Sequence, residues 1–185
     1  MKKIKKILFS VTLLMAVSFI AVCQPYQIGT FSLSMGGEVL FAESKLKQTH
    51  YTGAGATLKG EYVFSKHATA TVVSGYYFMN GKNTTLINYN NISAVPVKGG
   101  VRYYFGSFYG SGEAGAIFFS SFNQGTGFAY SFGMGDKIKL NRRVMDITLR
   151  HEAWVLGGNT NAVIALRVGY EFAVKFKQER NTKHF

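Results

Sequence analysis

Residues 161–172 alternate between a face of apolar side chains and a face that carries the charged residues. The even-numbered positions from Ala162 to Phe172 are apolar, whereas the odd-numbered positions include Arg167 and Glu171. Because successive side chains of a β-strand point to opposite faces, the segment predicts a strand with one apolar and one charged face. Such a strand suits a sheet that separates an apolar environment from a polar one.

The same alternation recurs along the chain and predicts eight strands. Their approximate bounds are 29–41, 51–64, 68–79, 94–105, 108–119, 127–140, 144–155 and 161–172. The third strand is rich in β-forming residues, but its sequence leaves open which face is which. Tight turns are predicted at 65–67, 106–107 and 141–143, and longer polar connections at 42–50, 80–93, 120–126 and 156–161. Transmembrane barrels alternate short turns and long loops in this way, so we predict an all-β, eight-stranded antiparallel up-and-down transmembrane β-barrel.

The N-terminus has the features of a secretory signal peptide. Several lysines between residues 2 and 6 precede a predominantly apolar stretch at 7–22, and Ala21 and Cys23 supply small residues for cleavage. An uncleaved membrane helix is one alternative, although the stretch is short for a span, and lipid attachment at Cys23 is another. We predict a signal peptide at 1–23, a barrel domain at 24–176 and a polar C-terminal tail at 177–185. The expected location is the outer membrane of a Gram-negative cell envelope.

The charges favour a polar lumen over a nucleic-acid groove. Lys and Arg number 21 against 9 Asp and Glu, but most bases alternate with acids along the predicted strands, so no nucleic-acid partner is expected. An eight-stranded barrel has room for little more than its own side chains, and enclosed charges need partners. We therefore predict a structural charge network and no continuous water channel. Its predicted members are Glu38, Lys59, Glu61, Lys98, Arg102, Glu113, Lys137, Lys139, Asp146, Arg150, Glu152, Arg167 and Glu171.

Three segments resemble the small bacterial outer-membrane β-barrel proteins described as porin-like or as outer membrane protein β-barrel domains. They are VPVKGGVRYYF at 95–105, GMG at 133–135 and VGYEF at 168–172. The resemblance covers the mature chain and implies two partners, outer-membrane lipid and the barrel assembly machinery. In that family the last strand ends in an aromatic residue that the machinery reads, and Tyr170 and Phe172 resemble that signal. Phe185 is also aromatic, but the residues before it do not alternate.

No catalytic, cofactor or metal site is predicted. The four histidines are scattered without metal-ligand spacing. His151 falls on the lipid-facing side of its strand, which resembles the lipid A deacylases, small barrels with a His and a Ser on that side. The residue two positions on is Ala153, however, so an interfacial histidine is the preferred interpretation. Trp154 is expected to anchor the membrane interface.

The expected function is therefore a non-enzymatic role in the envelope. The barrel would contribute to envelope structure or bind an unknown surface ligand or protein through the connections at 42–50 and 80–93. The alternatives are a small pore, an enzyme that modifies envelope lipid, and a soluble lipocalin-like binder. The last would have its apolar rows inside, around a ligand.

Overall fold

The structure, a computed structural model, describes residues 27–83, 88–120, 125–140 and 143–174. Each strand pairs antiparallel with the next, and the first also pairs with the last, so the sheet closes into a barrel. The strands are β1 (Phe31–Ala42), β2 (Gly53–Val63), β3 (Ala68–Met79), β4 (Ile92–Phe105), β5 (Phe108–Phe119), β6 (Thr126–Leu140), β7 (Arg143–Leu156) and β8 (Asn159–Val174). A short helix, α1 (Ser44–Thr49), follows β1. The predicted eight-stranded up-and-down barrel is confirmed.

The two ends of the barrel differ in their connections. At one end, which we call the turn end, β1 and β7 begin, β6 and β8 end, and short turns join β2 to β3 and β4 to β5. At the other, the loop end, lie α1 and residues 80–83, 88–91, 120 and 125. The predicted long connection at 156–161 is wrong. Gly157 and Gly158 form a two-residue turn with positive φ angles of 54° and 79°, which glycine adopts without steric cost, and the Leu156 and Asn159 beside them already pair.

The outward face of the sheet is apolar and the inward face is mostly polar. Met35, Val72, Val101, Phe132 and Leu166 are exposed on the outside. In β3, whose facing the sequence leaves open, the odd-numbered residues from Thr69 to Met79 point inward, and the even-numbered ones outward. Within the described residues, no helix has the length and apolar character needed to cross a membrane.

Exposed aromatic side chains border the outward apolar surface near both ends. Towards the turn end they include Tyr62, Phe64, Tyr103, Phe105 and Phe172, and towards the loop end Phe41, Tyr76, Phe78, Phe118 and Phe128. Aromatic girdles that flank an apolar band are typical of barrels that span a lipid bilayer.

Several predictions fall on residues outside the described ranges. These are the signal peptide with Cys23, the polar tail and the first two residues of the predicted turn at 141–143. The bounds of the signal peptide, barrel domain and tail stay predictions.

Candidate functional site

Twelve charged side chains fill the interior from the turn end to beyond the middle of the barrel. Ion pairs of 2.5–3.7 Å join them into one continuous series in which positive and negative groups alternate. We call it the ion-pair series. In order, its members are Lys59, Glu113, Lys98, Glu152, Arg150, Glu38, Arg167, Asp146, Arg102, Glu61, Lys137 and Glu171. The series contains as many cations as anions, so it adds no net charge to the lumen.

Inward-facing hydroxyl groups complete the hydrogen bonding of these carboxylates. Thr57 donates to Glu38 over 2.7 Å, and Thr69 donates to Glu61 over 2.8 Å. The Tyr109 hydroxyl donates to Asp146. A buried ion pair is tolerated when its remaining hydrogen-bonding positions are also filled, and these hydroxyls fill several of them.

The structure brings together twelve of the thirteen residues predicted to form the lumen network. The side chain of Lys139 is exposed at the turn end, two residues beyond the buried Lys137. Alternation places Lys139 on the inward face, but β6 extends past the closed part of the lumen at that point. Tyr170 and Phe172, the predicted assembly signal, lie on the outward face of β8 with their rings 4.6 Å apart at the centroids. Their role in assembly stays a prediction.

The loop-end part of the interior is filled by apolar side chains that the sequence did not reveal. Inward-facing residues at the loop ends of every strand except β2 pack together, and Leu46 of α1 covers them. We call this cluster the apolar plug. Its members are Leu40, Leu46, Tyr77, Met79, Ile92, Ala94, Ile117, Ala129, Trp154, Val163 and Ala165. Apart from β2, which begins with Gly53, each strand has an inward apolar residue near its loop end, and these residues were the available signal.

Trp154 lies inside the apolar plug, so its predicted role as a membrane-interface anchor is wrong. The residue is fully buried, its ring stacks against Tyr77 with centroids 6.2 Å apart, and Phe119 meets it edge-on. The indole nitrogen donates to Glu152 over 2.8 Å. Trp154 thus joins the plug to the ion-pair series, since an indole offers one polar group at the edge of a large apolar surface.

At the loop end, α1 and residues 80–83 and 88–91 are joined by hydrogen bonds into one surface, which we call the loop platform. Tyr51 N–H donates to the Asn80 carbonyl over 2.9 Å, and Lys82 N–H donates to the Thr49 carbonyl over 2.8 Å. The Lys82 ammonium also donates to the Lys47 carbonyl over 2.5 Å. The two connections thus present a common surface.

His50 is the buried link between the two halves of the loop platform. Its Nε2 lies 3.0 Å from the Asn90 carbonyl oxygen, and its Nδ1 lies 2.7 Å from the Thr49 hydroxyl. Burial lowers the pKa of His50 and the nearby Lys82 charge lowers it further, whereas the hydrogen bond to Asn90 raises it. The net direction is downward, so His50 is neutral at pH 7.

His151 pairs with Glu43 on the outward face near the loop end, with 3.0 Å between Nε2 and Oε2. Both side chains are partly exposed, and Glu43 begins the connection that leads into α1. The part of the chain that the structure describes contains no group of three or more His, Cys, Asp or Glu side chains arranged to hold a metal ion.

Solved structures with a similar fold come from a bacterial outer membrane. No family model matches the sequence, and no curated protein matches it. The crystal structure of Ail, the attachment invasion locus protein of Yersinia pestis, matches with a TM-score of 0.55 and 19% identity over 79% of this chain and 100% of Ail. The backbone structure of Yersinia pestis Ail in a phospholipid bilayer nanodisc matches with a TM-score of 0.53 and 19% identity over 78% of this chain and 99% of that one.

A third match is Yersinia pestis Ail in complex with the heparin analogue sucrose octasulfate. Its TM-score is 0.50, with 20% identity over 79% of this chain and 100% of that one. At such identities the matches bear on the fold. Together with the closed sheet, the apolar outer face and the aromatic girdles, they show that this chain has the fold of the small bacterial outer-membrane β-barrels.

Proposed function

We propose that this chain is a non-enzymatic outer-membrane protein that binds a partner outside the cell through the loop platform. The proposal rests on the observation that side chains fill the interior of the barrel. The ion-pair series and the apolar plug occupy the lumen in succession, with Trp154 and Arg102 among the fully buried side chains. A barrel filled in this way acts on its surroundings through its ends and not through a channel.

The facing of the strands favours this role over a soluble binder. A lipocalin-like protein would place its apolar rows inside around a ligand. Here the inside carries the ion-pair series, while residues such as Val101 and Phe105 are more than half exposed on the outside. An enzyme that acts on envelope lipid could use His151, paired with Glu43, as a base. It would also need a serine nucleophile on the same face of β7, but the residue two positions on is Ala153.

The charges of the loop platform favour an anionic partner. Lys45 and Lys47 are exposed, and Lys82 lies beside them over the Tyr51 ring. The Glu43 carboxylate is engaged by His151. Clustered cations on a surface held in one geometry attract polyanions, and salt weakens the attraction. The crystallised complex of Ail with sucrose octasulfate makes that compound a suitable probe for this chain as well.

Planar-bilayer recording of the purified protein tests the closed lumen. We expect no steady, large single-channel conductance. A stable open channel would overturn this part of the proposal and make a small pore the leading function.

Calorimetric titration with sucrose octasulfate tests the loop platform. The double variant Lys45→Gln/Lys47→Gln should bind more weakly than wild type, and the difference should shrink as salt is raised. Lys66→Gln is the matched control, because Lys66 is an exposed lysine at the turn end. An equal effect of the two variants would contradict binding at the platform.

The proposed orientation places the loop platform outside the cell and the turn end in the periplasm. A tag inserted after Lys82 should be reached by antibody on intact cells, and a tag after Lys177 should not. The opposite result would reverse the orientation.

A further inference from the structure

The outward face of β1, β2 and β3 carries a groove of about 440 Å³. Gly60 and Ala70 form its floor, because they are small, and larger apolar side chains form its walls. The Phe31 ring lies against Gly60: a Cβ added to this glycine would be 3.1 Å from Phe31 Cζ. The groove is thus part of the outer wall and separate from the lumen.

Cross-strand pairing explains why the wall is indented here. Gly60 pairs with Leu33 on β1 and with Val72 on β3. Side chains on the same face of paired strands stand next to each other, so the missing side chain leaves a gap between two large ones, and the Phe31 ring covers part of this gap. Ala70, which pairs with Tyr62, extends this gap towards the turn end.

The groove is continuous with the apolar surface that faces lipid. It runs from Leu58 in the middle of β2 to Phe31 and Tyr62 near the turn end, where Tyr62 belongs to the aromatic girdle. Its lining is almost entirely apolar, and the lining residues with a polar side-chain group are Tyr62 and Ser74. A hydrocarbon therefore suits it better than a charged or strongly polar ligand.

We propose that this groove binds one acyl chain of a membrane phospholipid in the leaflet at the turn end. A chain of methylene groups can follow a narrow concave path and gains from each apolar contact. A second copy of this protein fits less well, because two convex barrel walls meet along a line, whereas stable protein interfaces bury about 1,200–2,000 Å². The assignment of the leaflet rests on the proposed orientation, and the binding of a chain does not.

The test uses the full protein in vesicles that contain a phospholipid with a photoreactive group on its acyl chain. In wild type, crosslinks should concentrate on peptides from β1, β2 and β3. Ala70→Phe fills the floor of the groove and should lower the crosslink yield there about tenfold, because contacts with two or more methylene groups are lost. The matched control is Ala114→Phe, which adds the same ring to an exposed alanine on the outward face of β5.

Three results would overturn the proposal. They are crosslinks spread evenly around the belt, an equal loss of yield in both variants, and protein–protein crosslinks through β1 to β3, which would assign the groove to a second copy. Heat-modifiable migration on gels verifies that each variant is folded. If Ala70→Phe does not fold, Ser74→Leu blocks the opposite end of the groove and must give the same loss. A reversed result in the tag experiment would move the lipid to the other leaflet and leave the crosslinks in place.

Discussion

The ion-pair series and the apolar plug fill neighbouring parts of one lumen with opposite chemistry. In the series, each charge is enclosed with partners of opposite sign, as when Asp146 receives Arg102 over 2.9 Å and Arg167 over 3.0 Å. In the plug, side chains such as Leu40 and Ile117 exclude water by packing alone. The stability of the ion-pair series depends on every charge keeping its partners. The stability of the apolar plug depends on how well its side chains fill the available volume. The two parts should therefore respond differently to substitution.

The largest effect is expected where one residue satisfies two cations. Asp146→Ala leaves Arg102 and Arg167 enclosed without their shared carboxylate, and removing one partner of a buried pair costs about 3–5 kcal/mol. Denaturant titration in lipid vesicles measures the free energy of unfolding. The control is Glu43→Ala, which breaks the partly exposed pair with His151 and should cost about 0–1 kcal/mol. Equal losses in the two variants would mean that the ion-pair series is solvated.

A substitution in the apolar plug should cost a comparable or smaller amount. Leu40→Ala removes a fully buried side chain and leaves a cavity, for which about 2–5 kcal/mol is expected. Its neighbour Val39 points outward and is 41% exposed, so Val39→Ala should cost less. Salt should leave the cost of Leu40→Ala unchanged. A negligible loss would show that this part of the barrel is loosely packed.

A substitution at the boundary between the two parts should cost less than one in either part. The Tyr77 ring belongs to the plug, but its hydroxyl accepts a hydrogen bond from Arg150 over 2.6 Å and donates one to Glu152 over 3.4 Å. Tyr77→Phe keeps the packing and removes both hydrogen bonds, with an expected cost of about 1.5–3 kcal/mol. The fluorescence of Trp154, the only tryptophan, reports unfolding at this boundary. An unchanged midpoint of unfolding would mean that packing in the apolar plug alone stabilises the boundary.

The smallest effect is expected outside the membrane, at His50. Its pKa is lowered from the usual 6.5, so the opened loop binds a proton more readily than the closed one. The closed platform is fully favoured above pH 6.5 and loses stability as pH falls below that value. Nuclear magnetic resonance should show residues 80–83 and 88–91 becoming more mobile between pH 7.5 and 5. His50→Gln should abolish this dependence, and the β4–β5 turn at Gly106 and Ser107, which has no titratable side chain, should not respond in either protein.

The fold was predictable because alternation is a direct consequence of strand geometry. The charged inward residues of β7, Asp146, Arg150 and Glu152, stand out at every second position, so their common face could be assigned from sequence. Alternation specifies a face but not a height along the barrel. It therefore did not separate the buried Lys137 from the exposed Lys139, nor place Trp154 inside the plug.

The two parts of the lumen also differed in how visible they were in the sequence. A charged residue is easily recognised on an otherwise apolar strand. Val39, Leu40 and Phe41, in contrast, form one apolar run, which does not show that Leu40 points inward and its two neighbours outward. The Asn-rich start of β8 resembles a loop because the glycine turn before it exposes polar side chains on both faces. Helix α1 is short and depends on Leu46 contacting the plug, which no local pattern reveals.

The pairing of β1 with β8 has a consequence for the order of assembly. Glu38 on β1 receives Arg150, 112 positions later in the chain, over 2.5 Å, and Ser34 receives Arg167, 133 positions later, over 3.0 Å. A nascent barrel cannot make these contacts until its final hairpin arrives, and contacts so distant in sequence form slowly. Until then Glu38 remains without either arginine. The pairing of β1 with β8 therefore neutralises the charge of Glu38 in the same step that removes the last unpaired edge of the sheet.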